Sequence, residues 1–103
     1  MEGQPLVSPD VLARYAGDAA AEVRGVTSLA ESALHRGKAV AVTQSDGALE
    51  IAVHIELEWG RSAGEVGAAV QRRVREYVER MASTRVATVD VVVERVGSPP
   101  SAR

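Results

Sequence analysis

A chain of 103 residues supports one domain with a single modest core, because folding at this size buries only about 60–70% of the surface the unfolded chain exposes. Cysteine and phenylalanine are absent, and aromatics make up 3% of the residues against an apolar fraction of 46%. That composition excludes disulfides, thiolate metal sites and cysteine nucleophiles, and leaves Val, Leu, Ile and Ala to build the core.

The net charge of −2 is unevenly spread: residues 1–60 hold four basic and nine acidic side chains, residues 61–103 eight basic and five acidic. Such asymmetry bears on partners rather than on fold. The opening MEGQPLVSPD lacks a basic start and an apolar run, and no later stretch is long and apolar enough to span a bilayer. The cytoplasm is the expected location, and residues 1–7 are expected to be flexible.

Ser8-Pro9-Asp10 reads as a helix start. Ser8 can accept from a free N–H of the first turn, Pro9 suits a position that needs no N–H, and Asp10 complements the positive end of the dipole. Apolar residues at Val11/Leu12, Tyr15/Ala16, Ala19/Ala20 and Val23 predict a first helix from Pro9 to Arg24, with Gly25 just past its end. Val26 to Gly37 shows no clear period and is expected to be irregular. Lys38 to Gln44 reads as a strand, and Ser45-Asp46-Gly47 as a hairpin turn.

The return strand is LEIAVHIELEWG, Leu49 to Gly60. Its odd positions, Leu49 through Trp59, are all large and apolar, which defines one buried face. Trp59, the last of them, is expected to close the core between sheet and second helix, the alternative being an exposed anchor for a partner. The even positions place Glu50, His54, Glu56 and Glu58 on the other face. Ser62 followed by Glu65 is a capping box that starts a second helix. Its stripe is Val66, Ala69/Val70, Val74, Tyr77/Val78 and Met81, with three i,i+4 ion pairs expected outside: Arg72–Glu76, Arg75–Glu79 and Glu76–Arg80. Val86 to Val96 reads as the last strand, and residues 97–103 as a disordered tail.

The expected fold is therefore α+β, in the order α-β-β-α-β: a two-layer sandwich in which a three-stranded mixed sheet carries two amphipathic helices on one face. A single domain spans residues 8–96. A right-handed crossover through the second helix makes the last strand parallel to Leu49–Trp59.

Four stretches together resemble the alkaline shock protein family, the small cell-envelope stress-response proteins of Gram-positive bacteria. They are VSPDVLARYAGDAAAEVRGV (Val7–Val26), DGALEIAVHIELEWG (Asp46–Gly60), EVGAAVQRRVREYVE (Glu65–Glu79) and VATVDVVVERV (Val86–Val96). Gly64 departs from the pattern, standing where a better helix starter is expected. The resemblance implies a non-enzymatic, bacterial, cytoplasmic protein of envelope homeostasis. It also implies tethering at the inner face of the membrane through a separate membrane-spanning partner, and self-assembly. It supplies no catalytic residues and no cofactor.

The even face of Leu49–Trp59 admits several chemistries. His54 with Glu56 could begin a metal site, but Glu50 and Glu58 stand about 13 Å from His54 along an extended strand, so a solvated or docking face is the stronger reading. Paired carboxylates need a cleft to separate their pKa values, and an open sheet provides none. No G-x-S-x-G elbow is present, so no enzyme is expected. Gly64-Glu65-Val66-Gly67 matches the G-x-x-G loop of KH domains, which makes a KH-like nucleic-acid binder the alternative function, though Glu65 would repel phosphate. The favoured reading pairs an acidic sheet face of Glu50, His54, Glu56, Glu58, Asp90 and Glu94 with a basic helical face of Arg72, Arg75 and Arg80. These are complementary surfaces for head-to-tail association of copies of the chain.

Overall fold

In the computed structural model, residues 8–29 and 39–99 are described. Helix α1 runs Pro9–Ala21, capped by Ser8, whose Oγ accepts from the Val11 N–H at 3.3 Å. It stops three residues short of Arg24. The C-cap Glu22 bonds back to the Ala19 and Ala20 carbonyls, and the chain turns through Gly25 at φ +101°. Only glycine fits there, since a Cβ would lie 2.7 Å from Val66 Cγ2 of the second helix.

Strand β1, Val26–Leu29, follows that turn. Its start corrects the expectation of an irregular segment, and adds a fourth strand to the sheet. The rest of that segment, His35 included, lies outside the described residues, as do residues 1–7 and most of the tail. Strand β2 is Val40–Ser45 and β3 Ala48–Leu57. Asp46 and Gly47 join them at φ 54° and 78°. Positive φ at both central residues is the type I′ geometry that matches strand twist. Helix α2, Ala63–Ala82, starts at the expected cap, with Ser62 Oγ accepting from the Glu65 N–H at 3.2 Å. Strand β4 is Val86–Val96.

The sheet is mixed. β4 runs parallel to β3 along nearly its whole length, whereas β1 and β2 pair antiparallel with its two halves. One edge of β3 belongs to β4, so β1 and β2 share the other, end to end. Both helices pack on one face. Leu12, Ala16, Ala19 and Ala20 of α1 and Val66, Val70, Val74, Val78 and Ala82 of α2 form one cluster with Leu49, Ile51, Val53, Ile55 and Leu57. Each fully buried Val, Leu or Ile side chain contributes about 1.5–3 kcal/mol, and each Ala less. Tyr15 and Tyr77 meet edge to face at 5.9 Å and tie the helices together.

Two expectations about large side chains fail. Met81 is exposed because the α2 stripe advances strictly by four and ends on Ala82. Trp59 is 53% exposed. β3 ends at Leu57, and the turn through Glu58 and Gly60 carries the ring beyond the core.

Candidate interaction surface

The strand register defines a second sheet face. Ala52 pairs with Ala41 and Asp90, Glu50 with Thr43 and Thr88, and His54 with Val92. Directly paired residues project to the same side. This outer face therefore carries Glu50, Ala52, His54 and Glu56 from β3 and Thr88, Asp90 and Val92 from β4. No helix among the described residues covers it.

A break in the register shapes its upper end. Ile55 pairs with Val93 but Glu56 with Arg95, so Glu94 is an extra residue in β4. The bulge brings two consecutive side chains back over β3. Glu94 Oε2 lies 2.5 Å from His54 Nδ1, and Arg95 Nη1 lies 3.5 Å from Glu56 Oε2. His54 is 7% exposed, the one buried ionisable side chain among the described residues.

These pairs alter the expected acidic face. Its histidine is joined to Glu94 rather than to Glu56, and Glu56 is answered by Arg95, a residue outside the expected acidic and basic faces. Glu58 lies past the end of β3. Its main-chain N–H donates to the Gly25 carbonyl at 2.8 Å, and its carboxylate accepts from Arg61 at 3.0 Å. Glu50 and Asp90 are the two carboxylates of the face without an ion-pair partner among the described residues. Nor do any three His, Asp or Glu side chains among those residues converge as a metal site requires.

The expected basic face also divides. Arg75 is half-buried and donates to the Val86 carbonyl, so it belongs to the junction of α2 with β4. Arg80 lies over the Tyr77 ring at 5.5 Å, with Arg73 at 5.7 Å. Arg73 also bonds Glu22 at 2.6 Å, and this hydrogen bond raises the guanidinium pKa further above its ordinary value. None of the three expected i,i+4 pairs of α2 forms within 4.0 Å among the described residues. Arg72 and Arg80 stand about 200° from the nearest buried valines, Val70 and Val78, and so point into solvent with Glu76 between them.

The G-x-x-G stretch falls inside α2, where Gly64 to Gly67 form the first turns behind the Ser62 cap. A KH clamp needs those residues in a loop, so the nucleic-acid alternative loses its one structural support. No helix of the described residues is long and apolar enough to cross a membrane.

Similar folds occur among solved structures. MamM CTD in a copper form matches with a TM-score of 0.57 at 12% identity, over 91% of this chain and 92% of that one. A histidine-to-alanine variant of MamM CTD matches at 0.55 and 16% identity, over 85% and 98%. A further variant in a nickel form matches at 0.53 and 15%, over 84% and 96%. At these identities the likeness is one of fold. None of the curated proteins compared with the chain matches it. The model of one family matches residues 1–98, nearly the whole length. The chain belongs to the alkaline shock protein family, described as having a cell envelope-related function.

Proposed function

We propose that this chain is a non-catalytic interaction protein of the cell-envelope stress response, working in the cytoplasm and assembling with copies of itself. A partner embedded in the membrane would hold the assembly at the inner surface. The observation that carries this reading is a sheet face that no described helix covers, on which Glu50 and Asp90, without an ion-pair partner among the described residues, stand beside exposed Val92. On the opposite side of the domain, α2 presents Arg72 and Arg80 to solvent.

Acidic face and basic ridge lie on opposite sides of one domain. Docking one onto the other joins copies head to tail, and a contact of that kind extends into rings or filaments. Each exposed ion pair contributes only ~0–1 kcal/mol, so the contact needs several of them together with the apolar surface of Val92 and Ala52. Assembly should accordingly weaken as salt rises.

Light scattering behind size-exclusion chromatography tests the reading. At tens of micromolar protein in low salt, species larger than a dimer are expected, shrinking in high salt. Arg72→Glu/Arg80→Glu should abolish them with the circular dichroism unchanged. Assembly that survives this double reversal would remove the charged-face mechanism.

A further inference from the structure

The edge of β4 that faces away from β3 is guarded along one half and open along the other. Three α2 side chains at successive four-residue steps reach over the guarded half. Glu79 accepts from the Val86 N–H at 2.9 Å, Arg75 donates to the Val86 carbonyl, and Gln71 donates to the Val89 carbonyl at 2.9 Å. Main-chain groups of a strand alternate between its two edges. Val86 and Val89 point outward, on either side of the register break that absorbs one residue between Val86 and Thr88. Val91 and Val93 therefore point outward as well, and no described strand or side chain meets them.

We infer that this open half, Asp90–Glu94, is a strand-pairing site whose occupant is the same segment of a second copy, antiparallel about a twofold axis at Val92. Three features of the segment favour a copy of itself. First, the guard ends at Val89, so two identical edges can meet only through their open halves, and antiparallel pairing sends the two α2 helices to opposite ends. Second, the register places Val91 against Val93 of the second copy and Val93 against its Val91, each pair exchanging two main-chain hydrogen bonds. Val92 then faces its own counterpart in a non-hydrogen-bonded pair, where side chains approach most closely, and Val92 is 40% exposed among the described residues.

Charge supplies the third. Asp90 comes opposite the bulge of the second copy, where Glu94 and Arg95 both stand on the outer face. Glu94 is already held by His54, whereas the Arg95 side chain is 73% exposed and makes only a long contact with Glu56. The register sets Asp90 opposite Glu94 of the second copy, which that copy's His54 already holds, and within reach of the adjacent Arg95, so the contact is self-complementary, as a twofold interface must be. This edge contact is carried by main-chain groups of β4, whereas the docking proposed above lays a helix on the sheet face; the two share Asp90 and Val92 but differ in their need for Arg72 and Arg80.

The absence of cysteine from the chain makes the test direct. In a non-hydrogen-bonded antiparallel pair the Cα atoms stand about 4.5 Å apart, within the range of about 4.4–6.8 Å that a disulfide spans. Val92→Cys should therefore oxidise to a covalent dimer under mild diamide. Thr88→Cys, on the same face but outside the paired stretch, should stay monomeric under the same conditions. Asp90→Arg and Arg95→Asp should each suppress the Val92→Cys dimer several-fold, and the two together should restore it. The dimer should persist in the Arg72→Glu/Arg80→Glu background, which separates failure of the edge contact from failure of the face contact. Equal cross-linking at positions 88 and 92, none at position 92, no rescue by the charge swap, or loss of the dimer in the Arg72/Arg80 background would each overturn the inference.

Discussion

His54 and Glu94, forty residues apart in the chain, meet at 2.5 Å across neighbouring strands of the sheet. The pairing depends on the bulge, because an unbroken register would set Glu94 beside Glu56 and leave two carboxylates facing each other. With the extra residue, Glu94 reaches back to the histidine and Arg95 takes the place beside Glu56. The bulge sorts four side chains into two complementary pairs, and keeps a buried imidazole hydrogen-bonded on a face that no helix among the described residues shields.

The two pairs should differ in strength. Glu94→Ala removes the carboxylate from a buried histidine, and leaving a buried polar group short of its partner costs about 1–3 kcal/mol. Glu56→Ala removes only a 3.5 Å contact to an exposed arginine, where less than ~1 kcal/mol is expected. Urea unfolding of both variants measures the difference directly. Equal losses would mean that the His54–Glu94 contact is no more than a surface ion pair.

Trp59 provides a second contrast. A ring closing the core would cost about 3–5 kcal/mol on truncation to alanine. With Trp59 53% exposed beyond the end of β3, Trp59→Ala should change stability by no more than ~0.5 kcal/mol. As the lone tryptophan it is also its own probe. Its emission should be that of an indole in water and readily quenched by acrylamide. Blue-shifted, protected emission would place the ring against a surface instead.

What could be read from the sequence divides along physical lines. Period-two alternation over ten residues identified β3 and its buried face, and capping residues placed the starts of both helices to within a residue, because these signals are local. β1 escaped notice. Its four residues are too short to show a period, and a bulge at Thr27 interrupts them. Alternation alone would put Trp59 in the core, because it says which side a residue takes while the strand lasts and nothing of where the strand stops, here at Leu57. Alternation along β3 and β4 lists the acidic residues of the outer face without the register that pairs them. Their neutralising partners, Arg61 and Arg95, come from a turn and from a bulged neighbour whose register no local pattern encodes. The family likeness was legible for the opposite reason, since it rests on four stretches in order along nearly the whole chain.

The α2 side chains that guard β4 lead to the last prediction. Sequence spacing suggested that Arg75 and Glu79 pair with each other on the helix surface, where such a pair is worth ~0.2–0.5 kcal/mol. Instead both are turned onto Val86, a fully buried residue, serving its carbonyl and its N–H. Glu79→Ala and Arg75→Ala should then each cost about 1–3 kcal/mol, the range for stranding a buried main-chain group. Arg72→Ala, one turn earlier and directed into solvent, should stay within ~0.5 kcal/mol. The double variant should cost less than the sum of the singles, because both side chains serve one residue. It would also bare the edge at Val86, leaving Gln71 on Val89 as the last of the three guards and a valine-rich strand that invites indiscriminate pairing. Amide hydrogen exchange at Val86, slow in the parent and fast in Glu79→Ala, reports the loss of the guard residue by residue. Light scattering of the double variant should show aggregates larger than the defined species of the parent. Were Arg72→Ala as costly as Glu79→Ala, or the Val86 amide equally protected in both, the three side chains would be ordinary surface residues and β4 would owe its half-open edge to something else.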